Sequence, residues 1–282
     1  MSKPTPASRQ TQWQRHFGLN ASPFSKDVDD DNLWMPSSKQ ALVDELVEAI
    51  EGREHVLLAG ENGTGKTCTL RALRRRLPET DYRLTYCHNA TLGRRDFYRQ
   101  LCIALGLSPK ATAAAVFHSV SSHVEELGRQ RVHPVFLLDE AHLLQQQVLE
   151  HLHVLANYQW DQKPLVSLVL VGLPELWSML ALRKNRSLWS RIHCRLSIEA
   201  PSVADTTEYV EHRLRRAGAS KPLLGADALT ILHEATHGQM RDIDRIATNA
   251  LRAAARRKQS MVDRELLEGV LERDQQPRCG DE

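Results

Sequence analysis

The segment GENGTGKTC (60–68) sets glycine, lysine and threonine at the spacing G-x-x-x-x-G-K-[ST], directly after the apolar run HVLLA. Glycines allow successive backbone N–H groups to fold round phosphate oxygens, and a helix N-terminus turns its unpaired donors and positive dipole end toward the same anion. Gly60, Glu61, Asn62, Gly63, Thr64, Gly65, Lys66, Thr67 and Cys68 are therefore expected to cradle the phosphates of ATP. Lys66 is the group expected to reach the β- and γ-phosphates, and the Thr67 hydroxyl is expected to bind Mg²⁺. A second element of the same chemistry is VFLLDEAH (135–142), an apolar run ending in Asp139 and Glu140. Two carboxylates at the C-terminal edge of a strand stand where parallel sheets bind ligands. Asp139 is expected to hold Mg²⁺, and Glu140 to orient or deprotonate an attacking water.

These residues need a scaffold of strands leading into loops, and the chain supplies one. Short apolar strands are expected at 55–60, 82–89, 132–140, 164–172 and 193–200, alternating with helices at 67–77, 95–107, 117–130, 148–159 and 175–182. A helix at 37–52 precedes them, with an apolar stripe of Leu42, Val43, Leu46, Val47 and Ile50. The alternation implies an α/β fold: a parallel five-stranded sheet between helices. After Pro201 the pattern turns all-helical, with apolar residues at i, i+3 and i+4 in 206–218, 226–238, 241–257 and 263–273. The expected organisation is a flexible N-terminus at 1–15, an α/β nucleotide-binding domain at 16–200, a helical lid domain at 201–273 and a flexible tail at 274–282.

The composition agrees with this and removes several classes. A chain of 282 residues, 41% apolar and 26% charged, has the make-up of a globular protein and excludes a disordered or fibrous one. Its net charge of +2 does not by itself argue for nucleic acid. Five cysteines, an odd number without a CxxC pair, read as reduced thiols. No apolar stretch reaches membrane-spanning length and the start lacks a signal-peptide core, so a cytoplasmic protein without a membrane partner is expected. His151 and His153 flank Leu152 and cannot share one helix face, so no zinc site is expected.

The additional strand at 82–89, lying between the two motifs, and the helical C-terminal region make residues 16–273 resemble the AAA+ ATPases. That resemblance implies further positions. A polar residue that senses the γ-phosphate belongs at the end of the strand at 165–172, where this chain has Leu173 within VGLPE. An arginine finger offered to a neighbouring subunit fits SLWSRIHCRL, with Arg191 preferred to Arg186 and Arg195. Arg241 in HGQMRDIDR matches an arginine that closes over the nucleotide. Asn89 stands where some members restrain the catalytic glutamate until a partner binds. The phrases HFGLNASPFSKD, VLVGLPELWSML and YVEHRLRRAG are similar to the branch holding ExeA-like secretion ATPases and TniB-like ATPases that accompany transposases. In that branch Phe17, Pro23 and Phe24 border the adenine; an ordinary packing role for them stays equally open.

Two functions follow from the resemblance. ExeA-like ATPases continue into a membrane span and a cell-wall-binding module, which this sequence does not show. The leading expectation is therefore an ATP-controlled homo-oligomer, ring or filament, that assembles on duplex DNA and recruits or activates a transposase, with hydrolysis driving disassembly. Arg94, Arg95 and Arg99 in TLGRRDFYRQ are the expected phosphate contacts to DNA. The alternatives are an ATPase of a secretion system, or a weakly hydrolysing switch that recruits a protein partner.

Overall fold

The structure, a computed structural model, describes residues 10–25, 33–87, 93–109, 112–156 and 164–275. In chain order its elements begin with α1 (Gln12–His16), α2 (Gln40–Glu51), β1 (His55–Ala59), α3 (Lys66–Arg76), β2 (Tyr82–Cys87), α4 (Arg94–Ala104) and α5 (Ala113–Arg129). They continue with β3 (His133–Leu138), α6 (Gln146–Leu155), β4 (Ser167–Gly172), α7 (Glu175–Ala181), α8 (Arg186–Trp189) and β5 (Ile192–Ser197). Four helices follow: α9 (Val203–Arg216), α10 (Ala226–Thr236), α11 (Met240–Arg256) and α12 (Arg264–Gln275). The chain divides into two compact units, one of Ser37–Glu199 and one of Met1–Pro36 with Ala200–Glu282.

The first unit is a parallel sheet of five strands in the order β2-β3-β4-β1-β5, flanked by helices. Its three inner strands, HVLLA, HPVFLL and SLVLVG, are buried at every position. Such continuous apolar runs are what a strand covered on both faces requires. The edge strands differ: β2 exposes Arg83 and Tyr86, and β5 exposes His193, Arg195 and Ser197. Leu57, Phe136, Leu168 and Leu170 share one core with Leu101 of α4 and Leu152 of α6. Leu46 and Ile50 of α2 and Leu73 of α3 are fully buried, and α2 packs against α3, β1 and β5. The helix expected from 117 begins at Ala113, because the Thr112 hydroxyl accepts the Ala115 N–H at 3.3 Å and caps it there.

The second unit is a helical bundle around Leu214, Leu232, Ile243, Leu251 and Leu267. Ser202 and Asp205 form a reciprocal capping box that starts α9, and α10 stops at His237 and Gly238, both with positive φ. A Cβ on Gly238 would stand 2.7 Å from the Pro201 carbonyl oxygen, so this turn requires glycine twice over.

Residues 16–25 and 33–36, expected in the α/β domain, group with the helical unit. Leu19 and Phe24 are buried in the helical core, and the Asn20 N–H donates to the Ala217 carbonyl at 2.7 Å. Arg213 of α9 is itself buried, and its guanidinium donates to the carbonyls of Pro23 and Ser25. A buried guanidinium demands such acceptors, and this segment supplies them. Next to the stretch 1–15 expected to be flexible, and overlapping it, residues 12–16 form α1, opened by a Thr11–Gln14 capping box and packed on α11. In the expected tail, Asp274 is paired with Arg245, while 276–282 lie outside the described residues.

Candidate nucleotide site

At the C-terminal edge of the sheet, β1 runs into the glycine loop and the loop into α3. The Gly60 N–H donates to the Gly172 carbonyl at 3.1 Å, which ties the loop to the end of β4. A Cβ on Gly60 would come within 2.2 Å of Ile198 Cγ2 and 2.6 Å of its carbonyl oxygen, so the chain just beyond β5 passes too close for any other residue. Gly65 has φ +98° and occupies the N-cap of α3, with nothing within 4 Å of an added Cβ. The first turn of a helix has no acceptors of its own for its N–H groups. An open, glycine-lined approach to that turn is what a phosphate chain needs.

Lys66 is 7% exposed, and its Nζ donates to the carbonyls of Gly60 at 2.8 Å and Glu61 at 3.0 Å. The ammonium is thus held inside its own loop. Thr64 is buried and donates to the Glu61 carbonyl at 2.9 Å, which braces the loop from within. Glu61, Asn62 and Thr67 are exposed, while Gly63 and Cys68 are half-buried. These residues fit a Mg²⁺-bound nucleoside triphosphate: a glycine cradle, one cation, and a threonine hydroxyl open at the start of the helix.

The carboxylate pair stands two strands away on the same edge, about 10 Å across the sheet by strand spacing. Asp139 is 6% exposed, and both of its oxygens have partners. Oδ1 accepts the Glu140 N–H at 2.9 Å, and Oδ2 accepts the Tyr86 hydroxyl at 2.7 Å. Partial burial raises the Tyr86 pKa above the ordinary tyrosine value, and the bond to Asp139 raises it further, so the hydroxyl remains a donor. Glu140 has φ 53° and ψ 36°, a left-handed conformation uncommon for glutamate, and it is only half-buried. Its Oε2 lies 3.6 Å from His142 Nδ1, which also accepts the Leu173 N–H at 3.3 Å.

Tyr86 and His142 were not singled out by sequence reasoning. His142 closes the quoted motif three places after Asp139; Tyr86 carries no local signal, because only the β2–β3 register, Cys87 opposite Leu138, brings it to Asp139.

The remaining expected residues are spread out. Arg191 is half-buried, and its Nη1 donates to the Ser187 carbonyl at 2.9 Å. Arg195 stacks on the Trp189 ring at 3.7 Å and donates to the Trp189 and Ile192 carbonyls, while Arg186 is exposed. Arg94 and Arg95 are exposed at the start of α4; Arg99, one turn on, is half-buried with Nη1 3.8 Å from Asp96. Arg241 is exposed in the first turn of α11, in the helical unit. Phe24, expected at the adenine, is 6% exposed within the core of that unit. Asn89 lies outside the described residues.

Comparison with known proteins fits this geometry. Residues 48–180 match a family described as "AAA domain". A 245-residue stretch, 86% of the chain, is 34% identical to the general secretion pathway protein A of Aeromonas hydrophila; the chain spans 45% of that relative's length. Among solved structures, Cdc6p from Pyrobaculum aerophilum is similar with a TM-score of 0.66 at 18% identity, covering 86% of this chain and 67% of that one. The Aeropyrum pernix ORC1 protein, solved in complex with DNA, has a TM-score of 0.65 at 20% identity over 89% of this chain and 68% of that one. At such identities these structures speak for the fold alone. The sheet unit with its glycine loop has the AAA+ fold, and residues 48–180 are similar in sequence to AAA domains.

Proposed function

We propose that the protein is an ATP-hydrolysing, self-assembling ATPase of the secretion-protein-A type. The similarity to that relative carries the reading. Its 245 residues cannot fit within the AAA segment at 48–180, so the kinship extends into the helical unit. The order of the two expected functions is thereby reversed. The argument against secretion rested on where this sequence stops, and a chain spanning 45% of its relative gives that stop no weight. With nucleotide bound, Lys66 would leave the Gly60 and Glu61 carbonyls for the β- and γ-phosphates, and Glu140 would orient the water. Thr67 and Asp139 would hold Mg²⁺, which would supply charge neutralisation at the phosphates.

A specific observation also favours the second reading, a DNA-bound regulator of transposition. Arg94 and Arg95 stand exposed and adjacent at the start of α4, where basic side chains can meet a phosphate backbone. Steady-state ATP hydrolysis separates the two, measured with and without duplex DNA at low and moderate salt, with Glu140→Gln as the blank. Turnover that depends on Lys66 and Glu140 but ignores DNA supports the secretion-type reading. Stimulation by DNA that fades with salt and is lost in Arg94→Ala/Arg95→Ala supports transposition and overturns it.

A further inference from the structure

Tyr86 is 44% exposed, yet its hydroxyl donates to Oδ2 of the nearly buried Asp139 at 2.7 Å. The geometry has a definite source. β2 and β3 pair in parallel with Tyr86 opposite Leu137, and the Asp139 N–H donates to the Cys87 carbonyl at 3.1 Å, which carries the ladder one residue beyond β3. Asp139 is therefore clamped on three sides: its backbone by β2, Oδ1 by the Glu140 N–H, and Oδ2 by Tyr86. A carboxylate with both oxygens bonded has one orientation, and a metal-holding carboxylate gains affinity from such an outer partner.

We propose that Tyr86 is a positioning residue for the metal carboxylate: its hydroxyl fixes Asp139 in the orientation that receives Mg²⁺ with the nucleotide. The inference rests on the reading of the glycine loop and Asp139 as a Mg²⁺–nucleotide site. It adds a residue from the sheet's edge strand that neither motif contains. Since β2 is an edge strand, the clamp also makes metal binding depend on how firmly that strand is paired.

The test uses the full chain and a fluorescent ATP analogue whose binding is followed by anisotropy, in excess chelator and across a Mg²⁺ titration. Tyr86→Phe keeps the ring and removes only the donor. Its affinity for the metal-free analogue should stay within about twofold of the parent, while the half-saturating Mg²⁺ concentration rises roughly tenfold. Asp139→Asn should remove most of the Mg²⁺ dependence, and adding Tyr86→Phe to it should change nothing further, because the tyrosine acts through that carboxylate. A general loss of structure would lower metal-free binding and the melting temperature together, and it would persist on the Asp139→Asn background. An unchanged Mg²⁺ midpoint in Tyr86→Phe, beside a clear effect of Asp139→Asn, overturns the role of Tyr86 and leaves the nucleotide site standing. A parent chain that binds no analogue, matching Lys66→Ala, overturns both.

Discussion

At the scale of single residues, the chain holds a buried histidine whose protonation opposes folding. His133, at the start of β3, is 7% exposed, and its Nε2 is 2.9 Å from the hydroxyl of the fully buried Ser167. Burial pushes its pKa down from 6.5 to about 4, with Arg53 and His55 adding to the shift. The sign follows from which state takes up the proton. Below about pH 6.5 the unfolded chain binds it and the native chain does not, so stability is intact above that value and is lost as pH falls toward about 4. Between pH 7.5 and pH 5 the loss from this one group is on the order of 2 kcal/mol. Denaturant midpoints at those two pH values should differ less in His133→Asn than in the parent. A residual slope is expected, since burial lowers the pKa of His151 and His212 as well. An identical pH slope in parent and variant would show that His133 carries no such load. Residues of this kind also mark the limit of what the sequence discloses. The glycine loop and Asp139–Glu140 can be read because their chemistry depends on neighbours along the chain. Tyr86 and His133 cannot, because their partners Asp139 and Ser167 lie 53 and 34 positions away and meet them only through sheet register.

At the scale of elements, the strands and helices are legible because burial dictates periodicity; their allegiance is less so. The inner strands are continuous apolar runs and the C-terminal helices are amphipathic, and both patterns are local. The allegiance of residues 16–25 is decided by α9, whose Arg213 lies 190 positions from Pro23. No window along the sequence contains that pairing. The start of α9 is a separable device. The Ser202 hydroxyl accepts the Asp205 N–H at 3.1 Å, and the Asp205 carboxylate accepts the Ser202 N–H at 2.8 Å. Ser202→Ala removes the hydroxyl from this exchange and should destabilise the helical unit by about 1 kcal/mol. Hydrogen exchange of α9 amides reads the effect locally. Faster exchange confined to the first turn of α9 and its neighbours is expected, with the β1 and β4 amides unchanged. Equal acceleration in both units would mean that they unfold as one, and the cap would then have no local role.

At the scale of the whole molecule, the sheet separates two groups that one hydrolytic event is proposed to use. Strands β1 and β5 run parallel, with His55 opposite Ile192 and Ala59 opposite Ser197. The glycine loop follows the end of β1, whereas Arg191 immediately precedes the start of β5. The two therefore lie at opposite edges of the sheet, about 16 Å apart along the strands. No rotamer of Arg191 spans that distance to the phosphates bound by its own loop. If this arginine stabilises the transition state, it does so for a neighbouring subunit, across a head-to-tail interface. Arg191→Ala should then bind nucleotide as the parent does and lose hydrolysis by about a thousandfold, the range of an absent arginine finger. Lys66→Ala should fail at binding instead. Mixed in equal amounts, the two inactive chains bring an intact loop and an intact arginine together at roughly a quarter of their random interfaces. Activity should return on mixing and rise with total protein concentration. Co-assembly without recovery, with both variants folded, would remove Arg191 from the chemistry and return it to the Ser187 carbonyl that it already holds.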